Sequence, residues 1–118
     1  MRNHLIGCIF CKIAQGIAPA KILYQDDQVT AFRDSHPVAP THILVVPNQH
    51  IDSLNELTFA DDALAGHLLN VARQVAQQEG VDQDGYRLII NTGIDGGQTI
   101  FHLHIHVIGG QRVRFPMG

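Results

Sequence analysis

HLHIHVI, residues 102–108, alternates histidine with aliphatic side chains. Successive side chains of a β-strand point to opposite faces, so the segment predicts a strand with a histidine face and an aliphatic face that packs against a helix. Histidines about 6.6 Å apart along a strand cannot all bind one zinc ion without strain. We therefore expect three separate chemical roles. The histidines are His102, His104 and His106, and the aliphatic residues are Leu103, Ile105 and Val107.

Four further strands and two helices are predicted upstream of this segment. β-Like runs at residues 22–24 and 29–32 indicate a hairpin, residues 42–46 a central apolar strand, and residues 86–91 a fourth strand. A long helix is predicted over residues 59–79, where apolar residues recur at steps of four, three and four. A short helical turn is expected over residues 8–14. The sequence thus predicts an α+β fold, a five-stranded antiparallel sheet with one long helix and a short N-terminal helix.

Composition narrows the class of protein. The chain has 118 residues, of which 45% are hydrophobic and 16% charged, so residues 1–118 are expected to form a single domain with an apolar core. A net charge of −3 argues against a nucleic-acid partner. The sequence shows neither a signal-peptide pattern nor an apolar run long enough to span a membrane. We expect a cytoplasmic protein with reduced cysteines.

The histidine row follows a glycine-rich loop, and the two together indicate phosphate chemistry. A neutral imidazole is a nucleophile that can form a covalent intermediate, while its neighbours orient it and transfer protons. Gly93, Gly96 and Gly97 allow the loop backbone to approach a phosphate, and Asn91 and Thr99 add side-chain donors on either side. The alternative is an exposed edge strand that happens to carry histidines.

Several segments are similar to one known family. HLHIHVI resembles the signature of the histidine triad (HIT) superfamily. Residues 34–47 (DSHPVAPTHILVVP), 85–91 (GYRLIIN), 95–98 (DGGQ) and 109–112 (GGQR) resemble its HINT branch, the histidine triad nucleotide-binding proteins. The resemblance implies the HIT fold and a homodimer whose two sheets join into one.

The resemblance also implies an activity. It is that of a purine nucleoside phosphoramidase, which hydrolyses the P–N bond of AMP or GMP adducts through a nucleotidyl-histidine intermediate without a catalytic metal. His104 would be the nucleophile, and His106 would contact the phosphate and assist proton transfer. His42 would lie near the leaving group, and His102 completes the triad.

The nucleotide contacts implied by the resemblance are distributed over the whole chain. Asp34 would bind the ribose hydroxyls, as a bidentate acceptor. Phe115 would reach the partner's site in the dimer. The base pocket would be formed by Ile9, Phe10, Ile13, Phe32 and Leu44, and the phosphate would be held by Asn91, Gly97 and Thr99.

Cys8-x-x-Cys11 is a weak signal by itself. A redox pair would require a thioredoxin-like context, which the sequence lacks. A zinc site needs two more ligands, for which His50 and His102 are the candidates. Many bacterial HIT proteins carry this pattern and bind structural zinc, so the resemblance implies a possible zinc site here. The alternative is a pair of buried free thiols.

Three other functions remain open from the sequence. The protein could cleave dinucleoside polyphosphates, or serve as a nucleotide-binding regulatory module with little turnover. It could also be a zinc-dependent hydrolase built on the histidine strand. Comparing the two substrates distinguishes the polyphosphate hydrolase from the phosphoramidase. A catalytically dead variant tests the regulatory module, and metal chelation tests the zinc-dependent hydrolase.

Overall fold

Five antiparallel strands and two helices form the protein, whose structure is a computed structural model describing residues 4–114. The helices are α1 (Ile9–Ala14) and α2 (Asp62–Gln78). The strands are β1 (Ile22–Gln25), β2 (Val29–Arg33), β3 (Thr41–Pro47), β4 (Tyr86–Ile89) and β5 (Ile105–Gly109). Their order in the sheet is β1-β2-β3-β5-β4, and every neighbouring pair is antiparallel. The predicted fold class and hairpin are confirmed.

Strand alternation separates the two faces of the sheet. One face packs against α2 in the main core, and β3 contributes Ile43 and Val45 to it. The other face carries a smaller cluster in which Phe32 and Leu44 pack against Phe10 of α1. Leu103, Ile105 and Val107 belong to the α2 core, as the sequence predicted. His104 and His106, which alternate with these residues, are therefore directed to the α1 face.

The strand predicted over residues 102–108 is shorter than expected. β5 begins at Ile105, which pairs with Val45 of β3. The sheet ladder stops here because β3 ends at Pro47, which has no N–H to donate. The Pro47 carbonyl instead accepts a hydrogen bond of 2.8 Å from the ring of His102. Likewise, β4 ends at Ile89 rather than at residue 91.

The long helix begins with a tighter turn than predicted. A 3₁₀ turn, Phe59–Asp61, precedes α2, and the capping box of Thr58 and Asp61 closes its N-terminal end. This box satisfies backbone donors that would otherwise lack partners.

Asp26 attaches α2 to the β1–β2 hairpin. Its carboxylate accepts hydrogen bonds from the Tyr24 hydroxyl, from His67 of α2, and from the backbone N–H groups of Gln28 and Val29. Burial disfavours the charged carboxylate, but these hydrogen bonds outweigh that cost and lower the pKa of Asp26.

Candidate functional site

A cavity of about 650 Å³ opens on the α1 face of the sheet. One part of its wall is apolar, and the other carries Asp34, the glycine loop and two of the three histidines. The residues that the resemblance assigned to base, ribose and phosphate line this cavity: Ile9, Phe10, Ile13, Phe32, Asp34, Leu44, Asn91, Gly97 and Thr99. His104 and His106 line it as well. The structure thus brings together the residues expected to hold base, ribose and phosphate.

The hydrogen bonding of His104 leaves one ring nitrogen with a free lone pair. Its Nδ1 lies 2.7 Å from the carbonyl oxygen of His102, and because a carbonyl only accepts, Nδ1 carries the proton. In the neutral ring, Nε2 is therefore unprotonated. Burial lowers the pKa of His104 below its usual 6.5. At neutral pH this residue is an uncharged imidazole suited to nucleophilic attack.

His42 and His106 form a hydrogen-bonded pair beside the nucleophile. The backbone N–H of Val38 donates to His42 Nδ1 over 3.1 Å, so the proton of neutral His42 is on Nε2. His42 Nε2 lies 2.9 Å from His106 Nδ1 and 3.4 Å from Asp34 Oδ2. With Nδ1 of His106 accepting, the proton of neutral His106 is on Nε2. One backbone amide thus sets the tautomers of two histidines.

Burial also keeps this pair uncharged. It lowers the pKa of His42, and together with the neighbouring imidazoles it lowers the pKa of His106 to about 4. The ring centroids of His104 and His106 are 4.9 Å apart, so a positive charge on one ring disfavours protonation of the other. The free site therefore holds neutral imidazoles at pH 7.

Gln98 holds the glycine loop in shape, a role that the sequence analysis missed. Its side-chain oxygen accepts from the Gly93 N–H over 2.9 Å, and its side-chain nitrogen donates to the Asp52 carbonyl over 2.7 Å. Gly97 adopts φ +84°, a conformation that favours glycine. At Gly96 a Cβ would collide with the backbone carbonyl oxygen of Thr92. Glycine is therefore required at both positions.

Cys8, Cys11, His50 and His102 form a cluster with the dimensions of a zinc site. Their ligand atoms all lie within 4.8 Å of one another. Cys8 Sγ is 3.3 Å from His102 Nδ1, and Cys11 Sγ is 3.3 Å from His50 Nδ1. Tetrahedral zinc with its usual bond lengths places sulfur and nitrogen ligands about 3.6 Å apart. The set predicted from sequence therefore fits zinc.

Both histidines of this cluster are oriented for metal binding. His102 Nε2 donates to the Pro47 carbonyl, and His50 Nε2 donates to Asp52 Oδ1 over 2.7 Å. Each ring therefore presents the Nδ1 lone pair to the cysteines, the arrangement typical of zinc-binding histidines. Because burial lowers the pKa of His102 to about 4, its Nδ1 is unprotonated at neutral pH.

Asp34, His42 and His106 form a second group within reach of a single metal ion. The 2.9 Å between His42 Nε2 and His106 Nδ1 is a hydrogen-bond distance, shorter than the roughly 3.3 Å between two nitrogen ligands of tetrahedral zinc. The geometry favours a proton between these rings rather than a metal.

Two expected site residues lie away from the cavity wall. His102 is fully buried, with its side chain in the cysteine cluster, and reaches the cavity only through its carbonyl bond to His104. His42 is buried behind His106. Phe115 is outside the described residues. Lys21, Ser35 and His36 line the cavity although the sequence analysis gave them no role.

The fold and the site define a histidine triad protein: an α+β sheet presenting a buried imidazole row beside a glycine loop. The chain belongs to the HIT domain family, because the model of that family matches residues 15–113.

Proteins of known name and structure support this membership. The chain is 48% identical over 110 residues to the purine nucleoside phosphoramidase of Escherichia coli K12, covering 93% of this chain and 89% of that protein. A HIT family hydrolase from Legionella pneumophila Philadelphia 1 superposes with a TM-score of 0.91 at 43% identity, covering 95% of this chain and 100% of that one. A zinc-bound histidine triad family protein from Mycobacterium smegmatis superposes with a TM-score of 0.77 at 30% identity, covering 93% and 81%.

Within residues 4–114, no helix has the length and apolar character needed to cross a membrane.

Proposed function

We propose that this protein is a purine nucleoside phosphoramidase, which hydrolyses the P–N bond of nucleoside 5′-monophosphate adducts. The observation that carries the proposal is the His104 hydrogen bond to the His102 carbonyl, which leaves an unprotonated Nε2 in a nucleotide-sized cavity. The relative from Escherichia coli, which bears this activity in its name, supports the same assignment.

The reaction proceeds in two steps on His104. Its Nε2 attacks phosphorus and displaces the amine, forming a P–N bond to the imidazole. The positive charge on the ring is stabilised by the Nδ1–H bond to the His102 carbonyl. His106 presents Nε2–H to the phosphate and leaving nitrogen and assists the proton transfer, with His42 behind it. Water then hydrolyses the intermediate, which releases the nucleoside monophosphate.

Binding is divided along the cavity. Asp34 accepts hydrogen bonds from the ribose hydroxyls, and the apolar residues around Phe10 and Phe32 enclose the base. The loop at Gly97, with Asn91 and Thr99, holds the phosphate oxygens.

The proposed enzyme contains zinc in the Cys8, Cys11, His50 and His102 cluster, where the ion has a structural role. When bound, zinc would brace these four side chains; the reaction steps are carried out by histidine. The fit of the four ligand atoms and the zinc-bound relative from Mycobacterium smegmatis support this part of the proposal.

The proposal includes a cytoplasmic homodimer formed by the single domain of residues 1–118, without a nucleic-acid partner. β4 is an edge of the sheet, and Ile90 beside it is exposed. The other edge, β1, is interrupted by a register shift between Ile22 and Tyr24, and such irregularities discourage pairing. An Ile90→Asp variant is expected to elute as a monomer in light-scattering chromatography. The exposed Ile17→Asp control should remain dimeric; dimers in both variants contradict β4 pairing.

The function is tested with His104→Ala. This variant is expected to lose at least about 1,000-fold in kcat for adenosine 5′-phosphoramidate while retaining AMP binding by calorimetry. Acid-quenched, denatured wild type should carry a nucleotidyl group on His104 in peptide mass spectra. Normal hydrolysis by the variant contradicts the mechanism, and faster hydrolysis of diadenosine polyphosphates by wild type would favour the polyphosphate hydrolase.

A further inference from the structure

The base end of the cavity recognises shape but offers few groups that can read base identity. Its walls at Ile9, Ile13, Phe32 and Leu44 are apolar. Apolar and aromatic walls enclose any purine equally well, because all purines share a similar outline and a π face. Discrimination between purines requires a polar group that reaches the edge of the base.

Lys21 carries a polar group that could reach the edge of the base. It lines the cavity beside Pro19 and Ala20, and its side chain is exposed. Its backbone carbonyl accepts a hydrogen bond from the Arg33 N–H over 3.1 Å. The Lys21 side chain therefore starts next to Arg33, the last residue of β2, which also lines the cavity. Within residues 4–114 its ammonium group has neither a hydrogen bond nor an ion pair.

The other cation at this end is already engaged. The Arg33 guanidinium is paired with Glu79, on the far side of the sheet. Most polar groups at the opposite end are those assigned above to phosphate and ribose. Ser35 and His36, which also line the cavity, lie beside Asp34 and are hydrogen-bonded to each other over 3.0 Å. Lys21 thus remains, among the residues that the structure describes, as a side-chain donor without a partner for the edge of the base.

We propose that Lys21 is a specificity-determining residue that makes the site favour 6-oxopurine nucleotides, guanosine and inosine, over adenosine. This inference rests on the proposed function. An ammonium group has three donors and no acceptor. Guanine and hypoxanthine present adjacent acceptors, O6 and N7, whereas adenine presents the acceptor N7 beside the N6 donor. Lysine therefore gains a second hydrogen bond only with a 6-oxopurine.

The experiment compares guanosine, inosine and adenosine 5′-phosphoramidates with the same leaving amine. Wild type is expected to show about three- to tenfold higher kcat/KM for guanosine and inosine than for adenosine, as for one added hydrogen bond at an accessible site. Lys21→Met should reduce this ratio to near one, chiefly through KM, since the contact is made equally in ground and transition states. Lys12→Met is the matched control: Lys12 is an exposed lysine of α1 that does not line the cavity, and the ratio should stay at the wild-type value.

Two results would overturn the inference. They are a wild type without 6-oxopurine preference, and a Lys21→Met variant that keeps the wild-type ratio, even if it weakens all three substrates equally. Equal weakening would mean that Lys21 acts on the ribose or on Asp34 rather than on the base. If wild type hydrolyses none of the substrates, the proposed function fails. Calorimetric affinities for GMP, IMP and AMP then test Lys21 by the same ratio.

Discussion

Lowering the pH tests whether burial keeps the active-site histidines neutral. Burial lowers the pKa of His106 to about 4 and that of His104 below 6.5. At pH 5 a histidine with a pKa of about 4 is about 90% neutral, whereas an ordinary one is only about 3% neutral. Because the nucleophile His104 must be neutral, we expect the acid limb of the kcat/KM profile to have its midpoint below pH 6.5, while His106 stays neutral until the pH approaches 4.

Two measurements follow this titration. The pH profile of kcat/KM reports groups of the free enzyme, and rates are corrected for acid hydrolysis of the substrate without enzyme. Histidine ring shifts in NMR give the midpoint for His106 directly. Because these histidines have lower pKa values in the folded state, the unfolded chain binds more protons than the folded one between pH 6.5 and about 4. The free energy of unfolding therefore decreases as the pH is lowered through this window. Circular dichroism at each pH separates titration from unfolding.

Uncovering the nucleophile should reverse the effect of burial. The Phe10 ring packs edge-on against His104, with centroids 5.1 Å apart. Phe10→Ala is expected to move the acid limb of the profile upward towards 6.5, whatever happens to KM. Phe59→Ala removes a phenylalanine that is 94% exposed and should leave the midpoint unchanged. A wild-type midpoint at or above 6.5, or an unshifted midpoint in Phe10→Ala, would refute the role of burial.

Three further predictions concern the metal cluster, the hairpin and the loop. Chelation of zinc should lower the Tm of wild type, because a ligand at 1,000 times its Kd stabilises the folded state by about 4 kcal/mol. In Cys8→Ser the chelator should no longer change the Tm. Equal Tm values of wild type with and without chelator would speak against bound zinc. Asp26→Ala should lower the free energy of unfolding by about 1–3 kcal/mol in urea titrations because its donors lose their acceptor, and an unchanged value would contradict this. Gly96→Ala should raise the Kd for AMP in calorimetry more than tenfold, because the new Cβ would meet the backbone of Thr92, while wild-type affinity would show that the loop does not hold phosphate.

Side-chain periodicity was enough to predict the architecture but not the ends of its strands. The alternation over residues 102–107 correctly separated the α2 face from the histidine face. The end of the ladder depends on Pro47, about fifty-five residues upstream, and on the register that aligns Val45 with Ile105. Such pairing is a long-range property that no local pattern contains.

The residues of the candidate site were accessible to sequence reasoning, but their protonation was not. Cys8, Cys11, His50 and His102 could be named as one set, and the structure brings them together. The tautomers, by contrast, depend on backbone partners such as the Val38 N–H and the His102 carbonyl. Every residue has a backbone carbonyl, and every residue except proline has a backbone N–H, so no particular residue type marks these partners in the sequence.

His102 has two separate roles, one for its side chain and one for its backbone carbonyl. The ring belongs to the cysteine cluster, while the carbonyl oxygen bonds the nucleophile. Any amino acid placed at this position would still supply that oxygen, so the chemistry of His104 tolerates a change that the cluster does not. A version of this protein without the cysteine cluster is therefore open to design, provided that apolar packing replaces the four side chains as the support for this segment.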